Sequence, residues 1–210
     1  MKAYHPLLKR ILEGESDVLD FKKTISNVHK IAKTIVAFAN TKGGSILIGV
    51  NDNKSLAGIK SEEDKYMIET ASEFFCHPPI PVQMIEHQIG KVQIMEIVIP
   101  NSINKPHYAQ DEEGKKWVYI RVKDKSVLAS KEVIEVLKKE RFQEPVTLPY
   151  THLEQGLLEY LSKNEKITLK GFCQLVNISR RRASRILVNM VSIGLIRLHT
   201  TEKQDFYTLS

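Results

Sequence analysis

The segment Ile31 to Ile59, IAKTIVAFANTKGGSILIGVNDNKSLAGI, decides the fold. It reads as helix, glycine turn, buried strand and polar turn. Ile31, Ile35, Phe38 and Ala39 recur at helical spacing and define one apolar face. Asn40-Thr41-Lys42 ends the helix, and Gly43-Gly44 supplies a backbone freedom that a residue with a side chain lacks. Ser45 to Val50 is a short apolar run, the pattern of a strand covered on both faces. Asn51-Asp52-Asn53 then turns the chain.

Upstream, Leu7, Leu8, Ile11 and Leu12 form a narrow apolar stripe, and the spacing predicts a helix over Tyr4 to Glu13. Val18 to Phe21 alternates and reads as a first strand, with Leu19 and Phe21 on one face and Asp20 on the other. Downstream, Ser61 is expected to cap a helix that continues to about Phe75, where a proline-rich stretch from His77 to Pro81 forbids continuation. Val82 to His87 and Lys91 to Ile99 read as a hairpin around Gly90. Pro100 to Gly114 is expected to be a long polar loop, Lys116 to Val122 one strand, and Ser130 to Arg141 a helix.

The tail has its own logic. Leu153, Leu157, Leu158 and Leu161 mark a helix over Thr151 to Ser162. Thr168 is placed to cap a second helix, Leu169 to Val176, and Ser179 a third, running to about Ser192. The third buries Ala183, Ile186, Leu187, Met190 and Val191 and leaves Arg181, Arg182, Arg185 and Asn189 on its other side. Leu195 to Leu198 and Phe206 to Leu209 then form a hairpin whose loop, His199 to Gln204, would be a wing. Three helices and a hairpin in this order are the pattern of a winged helix-turn-helix. Pro145 and Pro149 mark residues 142–150 as a linker between domains 1–141 and 151–210.

The 210-residue chain carries a formal net charge of +6, and from Tyr150 onward nine Lys/Arg face five Asp/Glu. The excess therefore sits in the tail, and a nucleic-acid partner is expected there. The residues that would meet it are Ser179, Arg180, Arg181, Arg182, Ser184 and Arg185 at the start of the third tail helix, with Lys203 in the wing. The same arginines are also what a solvated face of a protein-docking module would show. No apolar run is long enough for a bilayer, the N-terminus lacks the apolar core of a signal peptide, and a cytoplasmic location is expected. Cys76 and Cys173 form no CxxC pair and read as core residues. His77, His87 and His107 show no metal-ligand spacing and are expected in loops or at the surface.

Glu15, Asp20 and Asp52 flank the first two strands. Carboxylates suit Mg²⁺ or Mn²⁺, which activate water and stabilise phosphoryl charge. Five extended residues span on the order of 16 Å, so Glu15 reaches a shared ion only if the chain bends near Gly14 to Asp17. On spacing alone, strand-edge charges and an ordinary turn residue account for all three. Asn40 to Ser45 is not a Walker A loop, because its glycines lie between a helix and a following strand rather than the reverse. Its backbone amides could hold an anion, but a tight turn explains it as well.

Glu15 to Lys22 (E-S-x-x-x-D-F-K), Ala37 to Asp52 (A-F-A-N-T-K-G-G-S-I-L-I-G-V-N-D), Gly58-Ile59 and Ile120 to Val122 (I-R-V) together resemble the Schlafen/AlbA-like domain of bacterial regulators, to which DNA binding is attributed. The resemblance covers roughly Leu7 to Lys139 and implies an α+β, mixed-sheet domain; many such proteins carry a C-terminal winged helix. It offers no basis here for ATP. Animal relatives include RNA-cleaving enzymes with three acidic residues, which Glu15, Asp20 and Asp52 match in position. Asp20 stands where glutamate is usual, and Val122-Lys123 follows Arg121 where a glycine is common. The expected function is a DNA-binding transcriptional regulator, a homodimer without cofactor, with DNA or RNA as partner. The alternatives are a metal-dependent endoribonuclease using Mg or Mn at Glu15, Asp20 and Asp52, and a protein-interaction module.

Overall fold

The computed structural model describes residues 6–59, 62–142 and 150–210. The described chain divides into two compact units, Met1–Leu128 and Ala129–Ser210. Ser61, Pro145 and Pro149, and most of the expected linker, lie outside the described residues. No helix of the described residues is long and apolar enough to cross a membrane.

In the first unit, α1 (Pro6–Glu13), β1 (Leu19–Lys22), α2 (Val28–Ala39) and β2 (Gly44–Ile48) follow one another. The chain continues through α3 (Glu63–Thr70), a π-helical turn (Ala71–Phe75), β3 (Cys76–His77), β4 (Gln83–Ile89) and β5 (Val92–Ile99). β6 (Tyr108–Gln110), β7 (Lys116–Trp117), β8 (Tyr119–Val122) and β9 (Lys125–Leu128) complete it. The main sheet is mixed, in the order β1-β2-β5-β4, with β1 parallel to β2 and the other pairs antiparallel. β2 is central and covered on both faces. Ile46 and Ile48 join Ile31, Ile35 and Phe38 of α2 in one apolar cluster. Leu47 joins Leu7 and Ile11 of α1 with Leu19 and Phe21 of β1 in another. The fold class is thus α+β with a mixed sheet, as the sequence implies.

The turn between α2 and β2 has almost no room. A Cβ on Gly44, at φ +151°, would lie 2.5 Å from the Val18 carbonyl oxygen and 2.8 Å from the Phe38 ring. One on Gly43, at φ +72°, would lie 2.6 Å from the Asn101 nitrogen. The Gly43 N–H donates to the Phe38 carbonyl, so the turn closes on itself. Asn40 is buried and acts as a clamp: its amide nitrogen donates to the His107 and Tyr119 carbonyls, and its oxygen accepts from the His107 N–H. Thr41 Oγ1 donates to the Ala37 carbonyl and accepts from the Arg121 N–H.

Several local expectations are corrected. The Lys116–Val122 stretch is two strands: β7 extends the antiparallel sheet β3-β6-β7, whereas β8 pairs with β9. The loop after Pro100 contains β6, because Cys76 and His77 supply it with a partner. His107 is buried rather than exposed, with ring nitrogens bonded to the Pro78 carbonyl and Ser102 Oγ. Cys76 is a core residue whose burial pushes its thiol up to about 12.

On the α1 face of the sheet, Glu96 is buried among Ser45 Oγ at 2.7 Å, Arg10 Nη1 at 2.6 Å and His87 Nε2 at 2.8 Å. Burial alone would raise its carboxyl pKa, but the hydrogen bonds from Ser45, Arg10 and His87 outweigh it and hold the carboxyl below the usual glutamate range.

In the second unit α4 (Lys131–Phe142) precedes α5 (His152–Lys163), α6 (Leu169–Leu175), α7 (Arg180–Ser192) and the antiparallel hairpin of β10 (Ile196–His199) and β11 (Phe206–Leu209). Thr151, Thr168 and Ser179 cap α5, α6 and α7 with their side chains. Leu153, Leu157, Leu161, Phe172, Ala183, Leu187 and Tyr207 share one core. Helix α4, assigned from sequence to the first domain, falls in this unit and packs against α7.

Two predictions follow from these packing arguments. Gly44→Ala is expected to cost about 2–5 kcal/mol from overpacking and backbone strain together, whereas Gly90→Ala, with open space around its Cβ, costs only about 1 kcal/mol; urea unfolding of both variants checks this. The ionised Glu96 stabilises the fold above the ordinary glutamate pKa of about 4.3, and that contribution is lost as pH falls through its lower folded value. Glu96→Gln should therefore flatten the acid limb of a Tm-against-pH curve.

Candidate nucleic-acid interface

Helix α7 starts where Ser179 leaves extended geometry and its Oγ accepts from the Arg182 N–H. Arg180, Arg181, Arg182 and Arg185 occupy its first turns, all exposed, and no acidic residue stands in the first turn. This opposes the helix dipole, whose positive end favours anions, and places Arg181 and Arg185 four residues apart on one face, where like charges repel. Arg182 lies close enough to Glu154 to help hold that carboxyl down, though burial, which acts the other way, is the largest influence there and the Thr151 hydrogen bonds overcome it. Among the described residues, Arg181 and Arg185 form no ion pair with an acidic side chain. Lys203 is exposed in the loop between β10 and β11.

Ser184, expected among the binding residues, instead donates through Oγ to Glu132 of α4 at 2.7 Å. Asn189 accepts from Lys139 Nζ of α4 at 2.8 Å. Val188 is only 4% exposed although it stands on the side of α7 away from the shared core. The cover on that side is α4. The sequence shows each helix as amphipathic but carries no local sign of this pairing.

The three carboxylates do not come together as one donor set. Asp20 and Arg121 are buried against each other, with Oδ1 3.2 Å from Nη1. Asp20 Oδ2 lies 2.5 Å from Lys22 Nζ without hydrogen-bond geometry. Arg121 also donates from Nη2 to the Ser16 carbonyl, and its guanidinium lies 4.6 Å from the Phe38 ring centroid. Two cations thus stand beside Asp20. Glu15 accepts from the Phe21 N–H at 2.8 Å. Its carboxyl is raised above the usual range, by burial first and then by the charges of Asp20 and Asp52, against the pull of the Phe21 hydrogen bond. Asp52 is an exposed turn residue. Among the described residues no three His, Cys, Asp or Glu side chains form a group that could hold a metal ion.

Because the Asp20–Arg121 pair is buried, Arg121→Ala is expected to destabilise the protein by about 3–5 kcal/mol by leaving a carboxylate inside. Asp52→Asn, at an exposed turn, should change stability by no more than about 0.5 kcal/mol. Chemical denaturation of the two variants side by side tests the contrast.

A protein-family model described as Schlafen, AlbA_2 matches residues 15–130. No curated protein matches the chain. Among solved structures, the DIP2311 protein from Corynebacterium diphtheriae aligns at 16% identity and a TM-score of 0.42, over 59% of this chain and 24% of that one. The N-terminal domain of an ATP-dependent DNA helicase RecG-related protein from Nitrosomonas europaea aligns at 17% identity and a TM-score of 0.38, over 53% of this chain and 83% of that one. This chain thus spans about a quarter of the Corynebacterium protein. The matched residues hold the glycine turn, the Asn40 clamp and the Asp20–Arg121 pair, and by that match the chain belongs to the Schlafen, AlbA_2 family.

Proposed function

We propose that this protein is a cytoplasmic nucleic-acid-binding regulator of transcription. Its second unit acts as a winged helix-turn-helix and presents the first turns of α7 to duplex DNA. The observation that carries the reading is the set of exposed arginines, Arg180, Arg181, Arg182 and Arg185, at the positive end of a helix with no acid in its first turn. Such an arrangement is unfavourable within the chain and becomes favourable when phosphates approach. Lys203, exposed in the loop between β10 and β11, supports the reading as a wing residue. The family membership of the first unit agrees with this reading, and that unit would add nucleic-acid affinity or self-association as a homodimer.

The alternative is a metal-dependent endoribonuclease using Glu15, Asp20 and Asp52; the contacts of Asp20 with Arg121 and Lys22 favour the binding reading over it.

Fluorescence anisotropy with labelled duplex across a salt series tests the proposal. Arg181→Ala/Arg185→Ala is expected to weaken binding at least about tenfold and to reduce the slope of log K against log salt by about 2. Unchanged affinity and slope would overturn it, as would absence of binding by the intact protein at low salt.

A further inference from the structure

A groove of about 410 Å³ lies between α4 and the first turns of α7. Among the described residues its charged walls are Lys131 and Lys139 from α4 and Arg181, Arg182 and Arg185 from α7, with Glu135 as the one acid. Glu135 is already paired with Lys138 at 2.9 Å. Lys139 bonds to the neutral oxygen of Asn189, so that contact leaves its charge uncompensated. Two helices of like charge are thus held side by side across an open groove.

Apart from the Lys139–Asn189 bond, the contacts that hold them do not involve the groove's cations. Ser184 donates to the buried Glu132, Val188 is buried on the face of α7 turned from the core, and Ser130 Oγ at the foot of α4 donates to Asp205. Val133 and Leu137 bury the apolar side of α4. The α4–α7 contact is therefore built as part of the unit's packing. While it stands, Val188 and the turns around it cannot lie along a DNA groove. Only the first turns of α7 remain free to enter one.

Resting on the reading of α7 as the nucleic-acid helix, we propose that α4 is half of the nucleic-acid surface. The first turns of α7 meet the duplex end-on, and the sugar-phosphate backbone beside them lies in the α4–α7 groove on Lys131 and Lys139. Phosphate contacts of this kind set register and affinity without reading sequence. The two lysines should therefore act alike on unrelated sequences, unlike residues that reach base edges.

The experiment uses the full chain and two short duplexes of unrelated sequence, read by anisotropy across a salt series. Lys131→Ala and Lys139→Ala are each expected to weaken binding to both duplexes by about threefold to tenfold and to lower the salt slope by about 1. Lys139→Arg, which keeps the charge, should restore most of the loss. Ser184→Ala, which cuts a tether to α4, should leave affinity unchanged or lower. Wild-type affinity and slope in both lysine variants, with Arg181→Ala/Arg185→Ala still weakened, would overturn this inference and leave the proposed function standing. Tighter binding by Ser184→Ala would overturn it in another way, showing α4 to be a cover that must leave. Loss of effect in the arginine variant as well would remove both.

Discussion

The first unit depends on one close approach, where the chain leaves α2 and enters β2. At Gly44 the backbone passes the Val18 carbonyl and the Phe38 ring at distances that no Cβ tolerates. This puts β2 directly beside β1 and lets the Ser45 N–H donate to the Val18 carbonyl. The same turn aims Asn40 at the His107 and Tyr119 backbones. One sterically empty position thus joins sheet, helix and the segments around β6 and β8. The segment is conspicuous in sequence for an architectural reason, and no ligand is needed to explain it.

The acidic residues of the same unit show how a chemical reading and a structural one separate. Asp20 and Arg121 are paired across 101 positions of sequence. This carboxylate has a buried guanidinium on one oxygen and an ammonium near the other, so its charge is met within the fold. The charges of Asp20 and Asp52 act with burial to raise the Glu15 carboxyl above its usual range.

In the second unit the decisive interaction is between α4 and α7. From sequence, the helix over Ser130 to Arg141 precedes a proline-bearing stretch and looks like the end of the first domain. In the structure it lies against the side of α7 that carries Ser184 and Asn189. Its apolar residues Val133 and Leu137 and the polar Glu132 are all buried. The basic residues of the two helices are thereby placed on one groove, and the charge that looks confined to the tail also draws on α4.

Local patterns made much of this legible. Helical spacing marks α2, α5 and α7, side-chain caps mark the starts of α6 and α7, and β2 reads as a continuous apolar run. These signals depend only on residues a few positions apart. The short polar strands β6 and β9 carry too little apolar content to register, and they exist because partners pair with them. His107, Asp20 and Ser184 look like surface groups because their partners are distant in sequence. The sequence by itself determined the helices and the longer strands, the two glycines of the turn and the arginine-rich helix start, since each is set by local sterics or periodicity. Tertiary structure alone decided which polar groups are spent on one another and which stay free for a partner, because desolvation and pairing depend on neighbours that only folding brings near.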